Sequence, residues 1–182
     1  MSNRKVAIIT GSATGVGAAT ALALAERGYN VLINYSKSEA EARASDAACR
    51  AAGAETLLQR GDVASDDDCR AMVAAVIDRW DRLDALVNNA GISTFTGAAN
   101  WDVLDTEVFN RIYAVNTVGT FQMVRASAPH LKQSANAAIV NVSSIAGALG
   151  IGSAVPYIAS KGDVNALTLY LDCEQERNIR VN

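Results

Sequence analysis

Four apolar residues, Val6-Ala7-Ile8-Ile9, run without a break into Thr10-Gly11-Ser12-Ala13-Thr14-Gly15-Val16-Gly17, and an alanine- and leucine-rich stretch follows at once. A short strand with no polar position is covered on both faces, as the strands of parallel sheets are. Glycines at the turn that follows let the chain bend into a helix, whose first amides and dipole favour an anion, phosphate above all. A chain that opens this way is committed to strand–turn–helix units, and the remainder keeps up the alternation. Strands are predicted at 5–10, 30–35, 55–60, 84–88, 137–142 and 178–182, and helices near 15–27, 38–52, 66–80, 105–132 and 156–174. The expected class is therefore α/β: a doubly wound parallel sheet between helices, three layers deep. Ala85-Leu86-Val87 and Ile139-Val140 are continuously apolar, as such a sheet requires. Ser65 before Asp66-Asp67-Asp68 reads as a helix cap with acids on the positive end of the dipole. With no repeat, low-complexity tract or linker, residues 1–182 are expected to form one domain.

Composition narrows the function. Half of the 182 residues are hydrophobic and 19% are charged, an ordinary globular balance, and the formal net charge of −3 offers no basic footprint for nucleic acid. No apolar run approaches the roughly 18–20 residues of a membrane span. The polar start, Met1 to Lys5, has no secretory core, so a cytoplasmic protein is expected. Cys49, Cys69 and Cys173 form no CxxC pair and read as free thiols in a reducing compartment. The lone His130 has no second ligand near it in sequence, so no metal is expected.

The glycine turn has the spacing G-x3-G-x-G. Gly11 makes the tight turn out of the strand, Gly15 lets the backbone approach a pyrophosphate, and Gly17 lets the helix pack close, with Ser12, Thr14 and Val16 between them. The acid that commonly holds an adenosine ribose lies about 20 residues further on, at the end of the second strand. Here that region is Ile33-Asn34-Tyr35-Ser36-Lys37-Ser38, with no acid before Glu39. Lys37, helped by Ser36, suits a 2′-phosphate, with Tyr35 beside them a further cofactor-binding candidate, so NADP(H) is favoured over NAD(H). Asp62 and Val63, after the third strand, either border the adenine or, in the case of Asp62, cap the helix that follows.

A second constellation lies near the other end. Reducing a ketone needs a hydride donor, a proton donor at the carbonyl oxygen and a group to hold that oxygen. Free tyrosine has a pKa of about 10, and a nearby ammonium favours its phenolate. Tyr157 and Lys161 are spaced i, i+4 and share one helix face. Ser144 follows the fifth strand, at the edge where open parallel sheets bind ligands. Asn116 sits mid-helix, where its amide either caps a bend or holds water in a relay to Lys161.

Thr10-Gly11-x3-Gly15-x-Gly17, Asn88-Asn89-Ala90-Gly91, Asn116, Ser144 and Tyr157-Ile158-Ala159-Ser160-Lys161 occur in this order across nearly the whole chain. In these blocks the sequence resembles the short-chain dehydrogenase/reductase family. The resemblance implies a Rossmann-type fold and an oxidoreductase that interconverts a ketone and a secondary alcohol. It also implies roles: Tyr157 as general acid and base, Lys161 lowering its pKa and holding the nicotinamide ribose, Ser144 orienting the carbonyl, and Asn116 supporting proton relay. Asn89, Ala90 and Gly91 would line the cofactor. Val31-Leu32-Ile33-Asn34-Tyr35-Ser36 is similar to reductases of the 3-oxoacyl-thioester type. A homodimer or homotetramer with a small carbonyl or alcohol substrate is the family expectation.

Some features depart from the family. Its members continue for several dozen residues past Asn182, through a Pro-Gly loop, a substrate lid and a last strand. The expectation is thus a fragment or a truncated form with one sheet edge unpaired, and the alternative reading is a non-catalytic dinucleotide-binding module or assembly partner. Pro156 fits a helix start. Asp163, two residues past Lys161, is expected on another face, and with Asp172 and Glu174 makes the family's dimer face acidic. Ser93-Thr94-Phe95 and Gly150-Ile151-Gly152 are the segments expected to touch substrate.

Overall fold

Six strands, all parallel, form one sheet in the order β3-β2-β1-β4-β5-β6: β1 is Val6–Ile9, β2 Asn30–Tyr35, β3 Thr56–Arg60, β4 Ala85–Asn88, β5 Ala137–Asn141 and β6 Ile179–Val181. The computed structural model describes residues 4–94, 100–174 and 179–182, so Phe95 and the start of the strand expected at 178–182 lie outside the described residues. The chain runs outward from β1 to β3, returns to lay β4 on the other side of β1, and continues to β6. The connections after β1 and β4 therefore diverge, which opens a crevice over the carboxyl ends of the strands.

Helices cover both faces. Ile8 and Val6 on one face of β1 join Leu32, Leu86 and Ile139 against Met72 and Val76 of α3 (Asp66–Trp80) and Met123 of the later helix Gly119–Leu131. Ala7 and Ile9 on the other face join Val31, Ile33 and Val87 against Ala21 and Ala25 of α1 (Gly15–Glu26) and Ala42 and Cys49 of α2 (Glu39–Ala51). All four β1 residues are fully buried, the consequence of a strand without a polar side. Ser65 caps α3 by accepting from the Asp68 amide at 3.3 Å, with three acids in the first turn.

The helix predicted over 105–132 is instead three pieces: α4 (Thr106–Tyr113), a π-helical turn (Ala114–Val118) and α5 (Gly119–Leu131). A π turn inserts one extra residue without breaking the rod, so side-chain periodicity barely registers it. A short α6 (Ile145–Leu149), absent from the prediction, precedes α7 (Val155–Glu174). Pro156 lies in the first turn of α7, where a missing amide proton costs nothing.

At the amino ends of the strands one carboxylate acts as a tie. Asp84, 2% exposed, accepts from the Val6 amide at 2.8 Å, from Arg82 at 2.8 and 2.9 Å and from the Ser134 hydroxyl at 2.7 Å. It thereby joins the starts of β1 and β4 to the connection entering β5.

Candidate active site

The glycine turn is built by left-handed backbone and by close approach. Gly11 and Gly15 have φ of +61° and +56°, which side chains with a Cβ resist. A Cβ on Gly15 would meet nothing within 4 Å, so its backbone angle is what calls for glycine in this structure. A Cβ on Gly17 would lie 2.5 Å from both the Gly11 carbonyl oxygen and Asn89 Nδ2, so this glycine admits the turn and the loop after β4 rather than the sheet. Thr14, at the N-cap of α1, makes no side-chain cap, and the first turn holds no acid. The opening amides of α1 are therefore left for a ligand.

Neighbouring loops brace this turn. Thr10 Oγ1 accepts from the amides of Asn89 and Ala90, both at 3.0 Å, and Asn89 Nδ2 donates to the carbonyls of Thr10 and Gly11, both at 3.0 Å. Asn34, 2% exposed, accepts from the Gly11 amide at 2.9 Å and donates to the Gly61 carbonyl at 3.0 Å, joining the ends of β1, β2 and β3. Ser12 is turned inward. Its fully buried hydroxyl donates to Ile9 O at 2.7 Å and accepts from the Asn34 amide at 2.9 Å.

Over this framework lies a cleft of about 410 Å³. It brings together Gly11, Thr14, Tyr35, Ser36, Lys37, Asp62, Val63, Asn89, Ala90 and Gly91 of the predicted residues. Val16, 64% exposed, stands outside the turn. Asp62 does line the cleft, but its carboxylate also accepts from the Ala64 amide at 3.0 Å, closing the turn ahead of α3. Val63 is buried under α5: Gln122 donates to its carbonyl at 2.8 Å, and a Cβ on Gly119 would lie 2.8 Å from its side chain.

A second cavity, of about 520 Å³, holds Ser144, Tyr157 and Lys161 and shares Asn89, Gly91 and Ile92 with the first. Ser144 is the N-cap of α6 and accepts from the Ala146 amide at 3.1 Å, which fixes its rotamer and leaves its proton to donate. Lys161, 4% exposed, donates to the Val142 carbonyl at 2.6 Å, and its Nζ lies 5.8 Å from the Tyr157 ring centroid. Burial pushes the Lys161 pKa below its ordinary value. Asp163 does face away from Lys161: with burial it raises the pKa of Tyr113 on α4, to which it is hydrogen-bonded. Ser93 and Ser153 share a hydroxyl–hydroxyl hydrogen bond of 3.0 Å across this cavity, which Ile151 and Gly152 also line.

Asn116 lies behind both cavities rather than in either. Buried in the π turn, it accepts from the Ile92 amide at 2.8 Å and donates to the Ile92 carbonyl at 3.0 Å and to Ser160 Oγ at 2.9 Å. Thr120 Oγ1 takes its carbonyl at 2.8 Å. These bonds clamp the loop after β4, which joins the cavities, to α7.

The model of the short chain dehydrogenase family matches residues 5–182. The chain belongs to this family. A crystal structure from Burkholderia xenovorans, described as a short-chain dehydrogenase/reductase, is 45% identical with a TM-score of 0.97 and covers all of this chain and 76% of its own. A Streptomyces violaceoruber protein, described as a ketoacyl reductase of the granaticin polyketide synthase, is 38% identical over 97% of this chain and 70% of its own length. An NAD+-bound xylitol dehydrogenase structure is 31% identical with a TM-score of 0.89, over 98% of this chain and 68% of its own.

Short-chain dehydrogenases are oxidoreductases that use NAD(H) or NADP(H) on small molecules and commonly assemble as oligomers. The residues here fit such a dinucleotide: uncapped helix amides lie beside left-handed glycines, at the edge of a cleft lined by Gly11 and Thr14. Among the described residues no helix is long and apolar enough to cross a membrane. Sequence reasoning about this short-chain dehydrogenase missed several residues. Asn34 was noticed only for not being an acid, and Arg111, which lines the first cleft from α4, left no local signal. Gly147 was also missed. A Cβ there would lie 2.5 Å from the carbonyl carbon of Lys161 and 2.8 Å from the Gly162 amide, so α6 rests on the α7 backbone. Nothing in an alanine-rich stretch announces that approach.

Proposed function

We infer that the protein is an NADP-dependent oxidoreductase that interconverts a ketone and a secondary alcohol, with residues 1–182 acting as one NAD(P)-binding Rossmann domain. The observation that carries this reading is the shared wall of the two cavities: Asn89, Gly91 and Ile92 border both the phosphate cradle and the pocket of Ser144, Tyr157 and Lys161. A dinucleotide along the first cleft ends where the second begins. When bound, reduced dinucleotide supplies the hydride. Ser144 then donates to the substrate oxygen, and its bond from the Ala146 amide holds the hydroxyl in one orientation. Tyr157 gives that oxygen its proton as negative charge grows there. Lys161, unpaired with any carboxylate among the described residues, stabilises the phenolate left behind. In the oxidative direction Tyr157 takes the alcohol proton instead. Asn116 acts by position, holding Ile92 and Ser160 in register.

The NADP(H) preference is supported by Lys37 at the cleft and by the absence of an acid between Ile33 and Ser38. A ketone substrate agrees with the ketoacyl-reductase description of the Streptomyces relative. Exposed Phe121, Leu169 and Tyr170 on α5 and α7 support a homodimer or homotetramer through those helices. Free thiols at Cys49, Cys69 and Cys173 suit a reducing cytoplasm.

The decisive experiment is Tyr157→Phe, assayed for NADPH binding by fluorescence and for turnover on a panel of ketones. The expected outcome is unchanged binding with turnover reduced by about 10²–10⁴-fold. A variant that keeps wild-type turnover removes Tyr157 from proton transfer.

A further inference from the structure

Three helical arginines that follow an acid by four residues pair with it: Arg43 with Glu39 at 2.6 Å, Arg50 with Asp46 at 2.9 Å and Arg70 with Asp66 at 2.8 Å. This is the spacing at which exposed helix pairs close by default. α4 carries the same pattern in Glu107 and Arg111, yet no ion pair forms between them. Arg111 lines the dinucleotide cleft instead. Among the described residues its guanidinium has no carboxylate or carbonyl partner, and the ammonium of Lys37 has none either. Among the described residues Asp62 is the only carboxylate lining this cleft, and it accepts from the Ala64 amide. Arg60, beside the same rim, donates to the Ser36 carbonyl at 3.2 Å and steadies the loop that carries Lys37.

The two free cations reach the cleft from different elements. Lys37 follows β2 and Arg111 follows β4, and these strands flank β1 on its two sides. With two unpaired cations and, among the described residues, one carboxylate, the cleft keeps a positive excess that a compact anion matches. We propose that Arg111 is a second anchor for the adenosine 2′-phosphate, closing on it from α4 while Lys37 approaches from the β2 loop. The inference rests on the NADP reading above and extends it to a residue on a different wall. It makes the preference for NADP(H) a property of two elements rather than of one loop.

The test is calorimetric titration of 2′,5′-ADP and 5′-AMP against the wild-type chain, Lys37→Ala, Arg111→Ala and Arg111→Lys. These probes differ by one phosphate and need no turnover. Arg111 is exposed, so truncating it leaves the core intact. The expected result is that Arg111→Ala weakens 2′,5′-ADP by about tenfold, as loss of a charge-assisted contact does, and leaves 5′-AMP within about twofold. Arg111→Lys should recover part of the loss, and the 2′,5′-ADP affinity of the wild type should fall with added salt more steeply than that of Arg111→Ala. Equal weakening of both probes assigns Arg111 to a part they share, adenine, ribose or 5′-phosphate, and overturns the proposal. So does an unchanged affinity for both. If Lys37→Ala lowers 2′,5′-ADP binding while Arg111→Ala does not, the NADP reading stands and the second anchor falls. If the wild-type chain binds neither probe, both fall together.

Discussion

Lys161 is 4% exposed, and its ammonium donates to the Val142 carbonyl at 2.6 Å. Burial lowers its pKa below the ordinary 10.5. Because the lowered value belongs to the folded state, the unfolded chain binds the proton more tightly, and stability from this residue rises with pH between the folded value and 10.5. At neutral pH the buried charge therefore opposes folding. Lys161→Met is expected to raise Tm by on the order of a few degrees at pH 7 while turnover collapses, and the gain should shrink as pH approaches 10. Thermal unfolding from pH 7 to 10 checks it, and a lower Tm for Lys161→Met at pH 7 would contradict it. Tyr157 and Lys161 were legible as a pair on one helix face, but their spacing carried weight only beside the other ordered blocks of the sequence. Asn116 was only half legible: its type and mid-helix position signalled a special role, but its bonds to Ile92 and Ser160 join segments distant in sequence.

At the scale of elements, the strands and most helices were readable to within a residue or two, because apolar runs and turn residues dictate them. β1 is a fully buried run, and α3 begins at the Ser65 cap where the acids foretold it. What was not readable depends on pairs distant in sequence. The π turn at Ala114–Val118 leaves no mark on hydrophobic spacing, and α6 is five residues long, too short for a period to show. α6 matters out of proportion to its length, since Ser144 caps it and Gly147 seats it on the backbone of Lys161 and Gly162. Gly147→Ala forces α6 off α7, because every atom its Cβ would crowd is backbone. The expected effects are a stability loss of about 1–3 kcal/mol, as overpacking gives, and a fall in kcat as Ser144 moves from Tyr157. Denaturant unfolding and steady-state kinetics measure both. A variant with wild-type kcat would uncouple α6 placement from the chemistry.

Across the whole molecule the Asp84 tie contributes an acid-sensitive part of stability. Burial is the largest influence on its carboxyl and raises the pKa, but hydrogen bonds from Arg82, Ser134 and the Val6 amide outweigh it and hold the value below the ordinary 3.8. A depressed folded value means that the tie is fully stabilising above about 3.8 and is lost as pH falls through the lower folded value. Asp84→Asn should therefore cost on the order of 2–3 kcal/mol at pH 7, typical of bonds to a charged group, and the gap to wild type should narrow below about 3.8. Unfolding free energies from pH 7 down to pH 2 test this, and a gap independent of pH would rule out the charge as the source.

That tie sits at the amino ends of the strands, whereas both cavities open at the carboxyl ends. The acid-sensitive tie and the site thus lie a full strand length apart. Substitutions in the loops after β4 and β5 can drift toward new substrates without touching the carboxylate that joins the strand starts, and changes around Asp84 can harden the protein without retuning its catalysis. Such a layout keeps one acid-sensitive support out of reach of changes at the site, although Lys161 and Gly147 still tie stability to chemistry there.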